Sequence, residues 1–191
     1  MTEERGHGGV AVGPWTRLAR RSAYANAWLE VLHDDVLRPD GSPGIYGVVH
    51  LRNAAVGVVV LDDDDRVLLV GQYRYTLDEY SWEIPEGGVP FDEDLVDGAR
   101  RELREETGFE AAEWRLLFRF DLSNSVTDEV GAIFLATGLT PGEATPEPSE
   151  ELAVRWVALD AALAMIDSGE LTDLMSVAGL LRVALERSTR H

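Results

Sequence analysis

Short apolar runs separated by turn-forming residues dominate the chain, and this pattern predicts strands more often than helices. The longest run covers residues 54–61, and another covers residues 66–70. We expect two buried strands joined by a polar loop at residues 62–65. These four consecutive aspartates lack the alternating ligands and following glycine of a calcium loop, which favours a solvated hairpin tip over a calcium site.

The N-terminal quarter has the pattern of a small antiparallel sheet. Residues 27–33 and 45–51 are apolar and β-favouring, and residues 38–44 between them are rich in turn formers. A sheet of about 35 residues is too small to be stable alone, so it must pack on the main domain or on a second copy of the chain. We expect a mobile tail at residues 1–13, a β subdomain at residues 14–51 and the main domain at residues 52–191.

Helical periodicity is strongest at residues 92–107, where apolar residues recur at four-residue steps from Leu95. Asp92 or Asp94 can cap the start of this helix, and Gly108 can end it. Further strands are expected at residues 114–120, 131–136 and 152–157, and further helices at residues 159–166 and 171–185. Strands mixed with helices at two points predict an α+β or α/β sandwich around one sheet.

The composition narrows the choice of partners. The chain has 35 Asp+Glu against 17 Lys+Arg, a formal net charge of −18, and no cysteine. The lack of cysteine excludes disulfides, thiolate metal sites and a cysteine nucleophile. The negative charge argues against nucleic-acid and membrane partners, although a divalent cation can still bring a small polyanion to an acidic protein. Without an apolar signal segment or a stretch of about 20 apolar residues, we expect a cytoplasmic protein.

Three carboxylates share one face of the helix expected at residues 92–107. Glu102, Glu105 and Glu106 stand at i, i+3 and i+4, where like charges cost about 0.2–0.5 kcal/mol per pair. Arg101, four residues before Glu105, offsets part of that cost. Oxygen ligands clustered on a rigid helix suit Mg²⁺ or Mn²⁺, which leave room for substrate phosphates. On spacing alone, a solvated acidic face is the simpler interpretation.

The wider pattern favours the metal site. Residues 87–109, here called the acidic motif, combine Gly87 and Glu93 with the run Arg101-Glu102-Leu103-Arg104-Glu105-Glu106-Thr107-Gly108-Phe109. The acidic motif resembles the signature of the Nudix hydrolases at every defining position, and residues 66–72 and 82–87 resemble the segments that precede that signature. The resemblance implies an α+β fold, an α/β/α sandwich with a small N-terminal antiparallel β-sheet subdomain. It also implies Mg²⁺-dependent cleavage of a nucleoside diphosphate linked to another group.

Position by position, the resemblance implies roles around a metal ion. The implied ligands are Glu102, Glu106, Glu105 in a shared or outer role, and the backbone carbonyl of Glu86. Arg101 and Glu93 resemble the partners that orient these carboxylates. Gly87 and Gly108 resemble the glycines that allow close backbone approach and end the helix.

The chemistry also needs a carboxylate base that removes a proton from the attacking water. In similar proteins that act on ADP-ribose, this base lies on a loop after the motif. That loop corresponds to residues 140–151, here called the late loop. Glu150 is the favoured candidate, then Glu147 or Glu151, because they lie nearest the next strand, and Glu105 is a further candidate. An acidic loop that is only solvated is the alternative.

Two residues before the acidic motif are candidates for substrate binding. The run Gln72-Tyr73-Arg74 resembles the Gln-x-Arg element of the ADP-ribose and sugar-nucleotide branch. The planar fork of Arg74 suits diphosphate oxygens, and the alternative is a surface arginine without a ligand. Glu83 resembles the acidic residue that contacts the substrate or a metal-bound water in the family.

Aromatic residues of the N-terminal strands are candidates for stacking on the base. In the branch that the chain resembles, these strands pack across a dimer and supply such rings, so we expect a homodimer. The candidates are Trp28, Tyr46 and Tyr24. Taken singly, each is more typical of a residue packed in a core.

One position departs from the ADP-ribose group. Asn124 stands where a proline is usual, sixteen residues after Gly108. This leaves GDP- or UDP-sugars open as substrates, and Asn124 can either hydrogen-bond a sugar or form a turn. The alternatives are a nucleoside triphosphate pyrophosphohydrolase, against which the N-terminal strands argue, and a non-catalytic nucleotide-sugar sensor, against which the intact acidic motif argues.

Overall fold

The computed structural model describes residues 9–145 and 151–189. Strands and helices follow one another in this order: β1 (Val10–Val12), β2 (Trp15–Ala25), β3 (Leu29–Leu37), β4 (Pro43–Leu51), β5 (Asn53–Val60), β6 (Arg66–Arg74), β7 (Glu79–Glu83), β8 (Glu86–Pro90), α1 (Leu95–Thr107), β9 (Phe109–Asp121), β10 (Val130–Pro141), β11 (Ala153–Ala158), α2 (Leu159–Ser168) and α3 (Leu174–Ser188). No helix in this part of the chain is long and apolar enough to cross a membrane.

The chain divides into two units. Unit 1 comprises Met1–Asn53 and Asp121–Glu129, and unit 2 comprises Ala54–Phe120 and Val130–His191. Unit 1 is built on one antiparallel sheet with the strand order β1-β2-β3-β4. The segment from Asp121 to Glu129 therefore leaves strand β9, belongs to unit 1, and returns to strand β10.

We expected a tail through residue 13, but residues 10–12 form a strand of unit 1. Val10–Val12 form strand β1 and pair with the first residues of β2. The chain can reverse here because Gly13 has a φ of 57°, a conformation that glycine adopts without steric cost. The Gly-Pro pair that follows β1 is a turn signal that the sequence analysis did not use.

Unit 2 contains two sheets, where the sequence analysis expected one. One sheet has the order β8-β5-β10-β9, with β5 and β10 parallel, and the other has the order β11-β6-β7. The expected hairpin between β5 and β6 is wrong in its pairing, because the two strands enter different sheets and meet only at a bridge between Leu61 and Val67. The turn at residues 62–65 that joins them is largely exposed, as expected.

Both sheets of unit 2 are covered by helices on two sides. Strand β5 divides its side chains between two cores. Val56, Val58 and Val60 pack with Ala99 and Leu103 of α1. Val59 packs instead in the second core, which contains residues of α2 and α3. A strand buried on both faces has a continuous apolar sequence, which explains the run at residues 54–61. This arrangement is the α/β/α sandwich that the sequence predicts.

Candidate metal and substrate site

Helix α1 presents the acidic motif. Asp94, not Asp92, is its N-cap, and its side chain accepts a hydrogen bond from the amide of Val96 at 3.1 Å. Gly108 ends the helix in the left-handed conformation, with a φ of 75°. Leu103 is fully buried in the core under the helix. The two caps and the buried Leu103 fix the orientation of the helix about its axis, and therefore the positions of its carboxylates.

Two of the predicted ligands meet the backbone just before the helix. The amide of Glu86 donates to Oε2 of Glu106 at 3.2 Å, and Glu106 is only 4% exposed. A Cβ atom placed on Gly87 would lie 2.1 Å from Cδ of Glu102, so only glycine lets this carboxylate approach so closely. Glu106 therefore binds the Glu86 amide and Glu102 lies against Gly87, so along the chain the two carboxylates flank the Glu86 carbonyl.

Arg101 is the cation of this cluster. Its Nη1 atom lies 2.7 Å from Glu102 and 3.3 Å from Glu105, and its Nη2 atom lies 3.5 Å from Glu93. Nη2 also donates to the carbonyl of Gly88 at 3.2 Å. Although burial acts in the opposite direction, the surrounding carboxylates raise the pKa of Arg101. The structure thus brings Arg101 together with Glu93, Glu102 and Glu105.

The donor set fits a divalent cation chemically. In the described part of the chain, no three histidine or carboxylate side chains converge closely enough to hold a cation in their present positions. Arg101 supplies the counter-charge to Glu102 and Glu105 instead. Carboxylate and carbonyl oxygens are the ligands that Mg²⁺ prefers. Glu106 and Glu102 supply the carboxylates beside Glu86 and Gly87, and Glu86 supplies a carbonyl.

Arg74, the last residue of β6, forms an ion pair with Glu83, the last residue of β7. Nε of Arg74 donates to both carboxylate oxygens of Glu83, at 2.9 and 3.1 Å, and Nη2 also contacts Oε2. Glu83 is buried, and its hydrogen bonds raise the pKa of Arg74 even though burial acts to lower it. The two residues that the sequence predicted as separate substrate contacts therefore act as one unit, with Arg74 half-buried.

Two residues of α3 reach the same region and were missed by the sequence analysis. Ser176, which is fully buried, accepts a hydrogen bond from the amide of Ile84 at 2.8 Å and donates to Oε1 of Glu86 at 3.2 Å. Asp173 caps α3, and its carboxylate lies close enough to act on the Glu86 carboxyl group. Burial, together with the charges of Asp173 and Glu83, raises the pKa of Glu86 well above its usual value.

The late loop begins against the C-terminal end of α1. The amide of Thr145 donates to the carbonyl of Glu105 at 2.9 Å. Glu147 and Glu150, two of the predicted catalytic carboxylates, lie outside the described residues. Glu151 is described and is exposed just before β11. The described start of the loop is therefore held beside the acidic motif.

The remaining candidates lie in unit 1. Trp28 is 72% exposed and Tyr24 is 58% exposed, so the core packing considered for each is wrong. Tyr46 packs edge-to-face against Trp15 and donates its hydroxyl to the carbonyl of Ser125 at 2.9 Å. Asn124 is exposed in a turn, one of the two roles that the sequence left open.

Two family models together match most of the chain. The model of the NUDIX domain matches residues 51–174, and the model of the nucleoside diphosphate sugar hydrolase N-terminal domain matches residues 15–49. An ADP-ribose pyrophosphatase of Mycobacterium tuberculosis is 31% identical over 177 residues, covering 87% of this chain and 81% of the relative. A CMP-5'-(N-acetyl-N-hydroxy-3-aminopropyl)phosphonate hydrolase of Streptomyces rubellomurinus is 31% identical over 169 residues, covering 88% and 82%.

A solved structure supports the fold independently. The crystal structure of an ADP compounds hydrolase superposes with a TM-score of 0.81 at 20% sequence identity, covering 95% of this chain and 98% of that chain. At this identity the likeness concerns the fold alone. Together with the α/β/α arrangement of unit 2, it confirms the expected fold class.

Proposed function

The chain belongs to the NUDIX family and is a pyrophosphatase, and on that premise we propose that it hydrolyses the diphosphate bond of a nucleoside diphosphate sugar with Mg²⁺. The products are a nucleoside monophosphate and a sugar phosphate. The observation that carries the proposal is the convergence of Glu102 and Glu106 on the neighbouring residues Gly87 and Glu86. The match of residues 15–49 to the N-terminal domain of nucleoside diphosphate sugar hydrolases supports the substrate class.

We propose that Mg²⁺, with Mn²⁺ as a substitute, is held by Glu102, Glu105, Glu106 and the Glu86 carbonyl. A cation bound there would neutralise charge on the diphosphate oxygens and lower the pKa of a bound water. Arg101 contacts the Glu102 carboxylate, and Glu93 contacts Arg101 in turn. The two residues therefore hold the ligands in place. A cation bound there would share Glu102 and Glu105 with Arg101.

Arg74 is the proposed diphosphate clamp. Its pairing with the buried Glu83 fixes the plane of the guanidinium group before the substrate arrives, which reduces the entropy lost on binding. Trp28 is available for stacking on a base because its ring is exposed. Tyr46, whose ring packs against Trp15, is a second proposed stacking residue. Asn124 is proposed to hydrogen-bond a sugar hydroxyl through its side-chain amide.

The proposed general base is a carboxylate of the late loop, with Glu150 first and Glu147 or Glu151 next. The hydrogen bond from Thr145 to the Glu105 carbonyl supports this assignment, because it anchors the start of the loop beside the acidic motif. Glu105 is the alternative within the motif. It shares Arg101 with Glu102, so its charge is already partly compensated.

A homodimer is proposed for the assembly. Unit 1 exposes large apolar side chains that a second copy would cover, among them Val10, Val12 and Ile45. No nucleic-acid or membrane partner is proposed, because the net charge of −18 repels both. The cytoplasmic location stays a prediction from the sequence.

The experiment that tests the proposed function is a substrate panel with Mg²⁺. It contains ADP-ribose, GDP-mannose, UDP-glucose, NADH, a CMP-linked phosphonate and nucleoside triphosphates, and released phosphate is measured after coupling to a phosphatase. We expect turnover of at least one nucleoside diphosphate sugar. Activity on triphosphates alone would refute the sugar-nucleotide proposal, and binding without turnover would favour the sensor. The phosphonate is included because one relative is named for such a substrate.

A further inference from the structure

Ser176 occupies an unusual position for a hydroxyl group. It is fully buried in the first turn of α3, next to Met175 and within reach of the segment that leads into the acidic motif. Its Oγ atom accepts from the amide of Ile84 at 2.8 Å and donates to Oε1 of Glu86 at 3.2 Å. One hydroxyl therefore joins α3 to two residues that precede it by about 90 positions in the chain.

The backbone of Ser176 is held in place by the N-cap of α3. Its backbone amide donates to Oδ2 of Asp173 at 2.7 Å, which is the N-cap hydrogen bond of α3. A capped first turn keeps its backbone in one conformation, so the hydroxyl group is presented from a rigid element. Rigid presentation is what a group needs if it is to hold another residue within a fraction of an ångström.

The segment that Ser176 contacts is also held from its other sides. The amide of Val58 on β5 donates to the carbonyl of Pro85 at 2.9 Å. The amide of Glu86 donates to Glu106 on α1 at 3.2 Å. The peptide that precedes Glu86 is therefore anchored by β5 and α1, and Ser176 anchors the Glu86 side chain from α3.

We propose that Ser176 is a positioning residue for the metal site, acting through Glu86. By fixing both the Ile84 amide and the Glu86 side chain, it sets the direction of the Glu86 carbonyl relative to Glu102 and Glu106. This inference rests on the proposed function, in which that carbonyl is a metal ligand. Outer partners of this kind are needed because a ligand that can rotate loses part of its affinity for the ion.

The test is Mn²⁺ binding to the full chain without substrate, measured from the electron paramagnetic resonance signal of free Mn²⁺. We expect Ser176→Ala to weaken Mn²⁺ binding about 10- to 100-fold, the range that loss of an outer-shell partner costs. The matched control is Ser188→Ala, which removes a hydroxyl from the other end of α3, where it bonds only the Leu185 carbonyl. The control is expected to bind Mn²⁺ as the parent chain does.

A second variant separates positioning from general structural damage. Glu86→Ala keeps the carbonyl but removes the acceptor of Ser176, so it is expected to weaken Mn²⁺ binding to a similar extent. Because both changes break one linkage, the double variant should lose no more than the larger single loss. Additive losses would overturn the proposal. If Ser176→Ala does not fold, wild-type affinity in Glu86→Ala overturns it as well.

Steady-state kinetics complete the test. We expect Ser176→Ala to raise the Mg²⁺ concentration needed for half-maximal turnover, and kcat at saturating Mg²⁺ to change less. A lower melting temperature with unchanged Mn²⁺ affinity would show that Ser176 is only structural and would overturn the inference. The proposed function fails separately, if the parent chain binds Mn²⁺ but hydrolyses no member of the substrate panel.

Discussion

Units 1 and 2 differ in how many apolar side chains they bury. Unit 2 buries two cores under helices, and in the described chain all but one of the buried apolar residues belong to it. In unit 1 the buried residues of the described chain are Val36 and Asp34, the latter paired with Arg20. Unit 2 also carries 26 carboxylates against 11 arginines, while unit 1 carries 9 against 6.

This difference shows how the two units divide their tasks. A unit of about 60 residues with a one-sided sheet is marginal alone, because too little of its apolar surface is removed from water. Unit 2 has enough core to tolerate a net charge of −15 and to concentrate carboxylates at the acidic motif. Unit 1 is nearly neutral and presents apolar side chains, the surface expected of a part that binds a partner.

The largest effect is expected from Glu106→Gln in unit 2. Glutamine keeps the acceptor for the Glu86 amide but removes the charge that would bind the cation. We expect turnover with Mg²⁺ to fall by about 100-fold or more, beyond the cost of losing an outer partner. Steady-state kinetics and the thermal unfolding midpoint are the measurements. Exposed Glu110→Gln is the control and should keep full activity. Full activity of folded Glu106→Gln would contradict the metal assignment.

The assembly is tested by Ile45→Asp in unit 1. Ile45 is 66% exposed, so a charge there should leave the single chain stable but disrupt an apolar interface. We expect light scattering to report a dimer for the parent chain and a monomer for the variant. Leu116→Asp, at an exposed strand position of unit 2, should leave the mass unchanged. A monomeric parent chain would show that unit 1 needs no second copy.

Core truncations compare the stability of the two units directly. Leu69 is fully buried in unit 2, and Leu69→Ala is expected to lower the free energy of unfolding by about 2–5 kcal/mol. Val36→Ala in unit 1 removes less buried surface and should cost about 1–2 kcal/mol. Urea unfolding curves measure both values. A larger loss at Val36 than at Leu69 would reverse our comparison of the cores.

The smallest effect concerns the ion pair of unit 1. The hydrogen bond from Arg20 lowers the pKa of Asp34 in the folded state, so ionised Asp34 stabilises the fold above about pH 4. This stabilisation is lost as the pH falls through the lowered pKa. Arg20 is partly exposed, so we expect Arg20→Ala to cost only about 1 kcal/mol at pH 7.

Urea unfolding at pH 7 and below pH 3 distinguishes this pair from ordinary surface charge. The difference between the parent chain and Arg20→Ala should shrink at the lower pH, because Asp34 is then increasingly protonated in both. Arg21→Ala, an exposed arginine on the same strand, should show little difference at either pH. A difference that does not depend on pH would mean that Arg20 contributes by packing, not by charge.

Local signals explain why the acidic motif was predictable. Gly108 and the four-residue apolar steps act within a few residues, so the end of α1 and the shared face of its carboxylates follow from sequence, while its start lies at Leu95 and not at the expected residue 92. The pairing of Arg74 with Glu83 did not follow in the same way. Both residues were identified, but the ion pair depends on how β6 and β7 align.

The sequence by itself determined the acidic motif, because that motif depends on spacing within a helix, and its resemblance to a known signature implied the family and the α/β/α class. Only the tertiary structure showed that β5 and β6 enter different sheets, and that Ser176 and Asp173 reach Glu86. Hydrogen bonds between residues about 90 positions apart leave no periodic pattern in the chain. They arise when the cores close and bring α3 against the segment that enters α1.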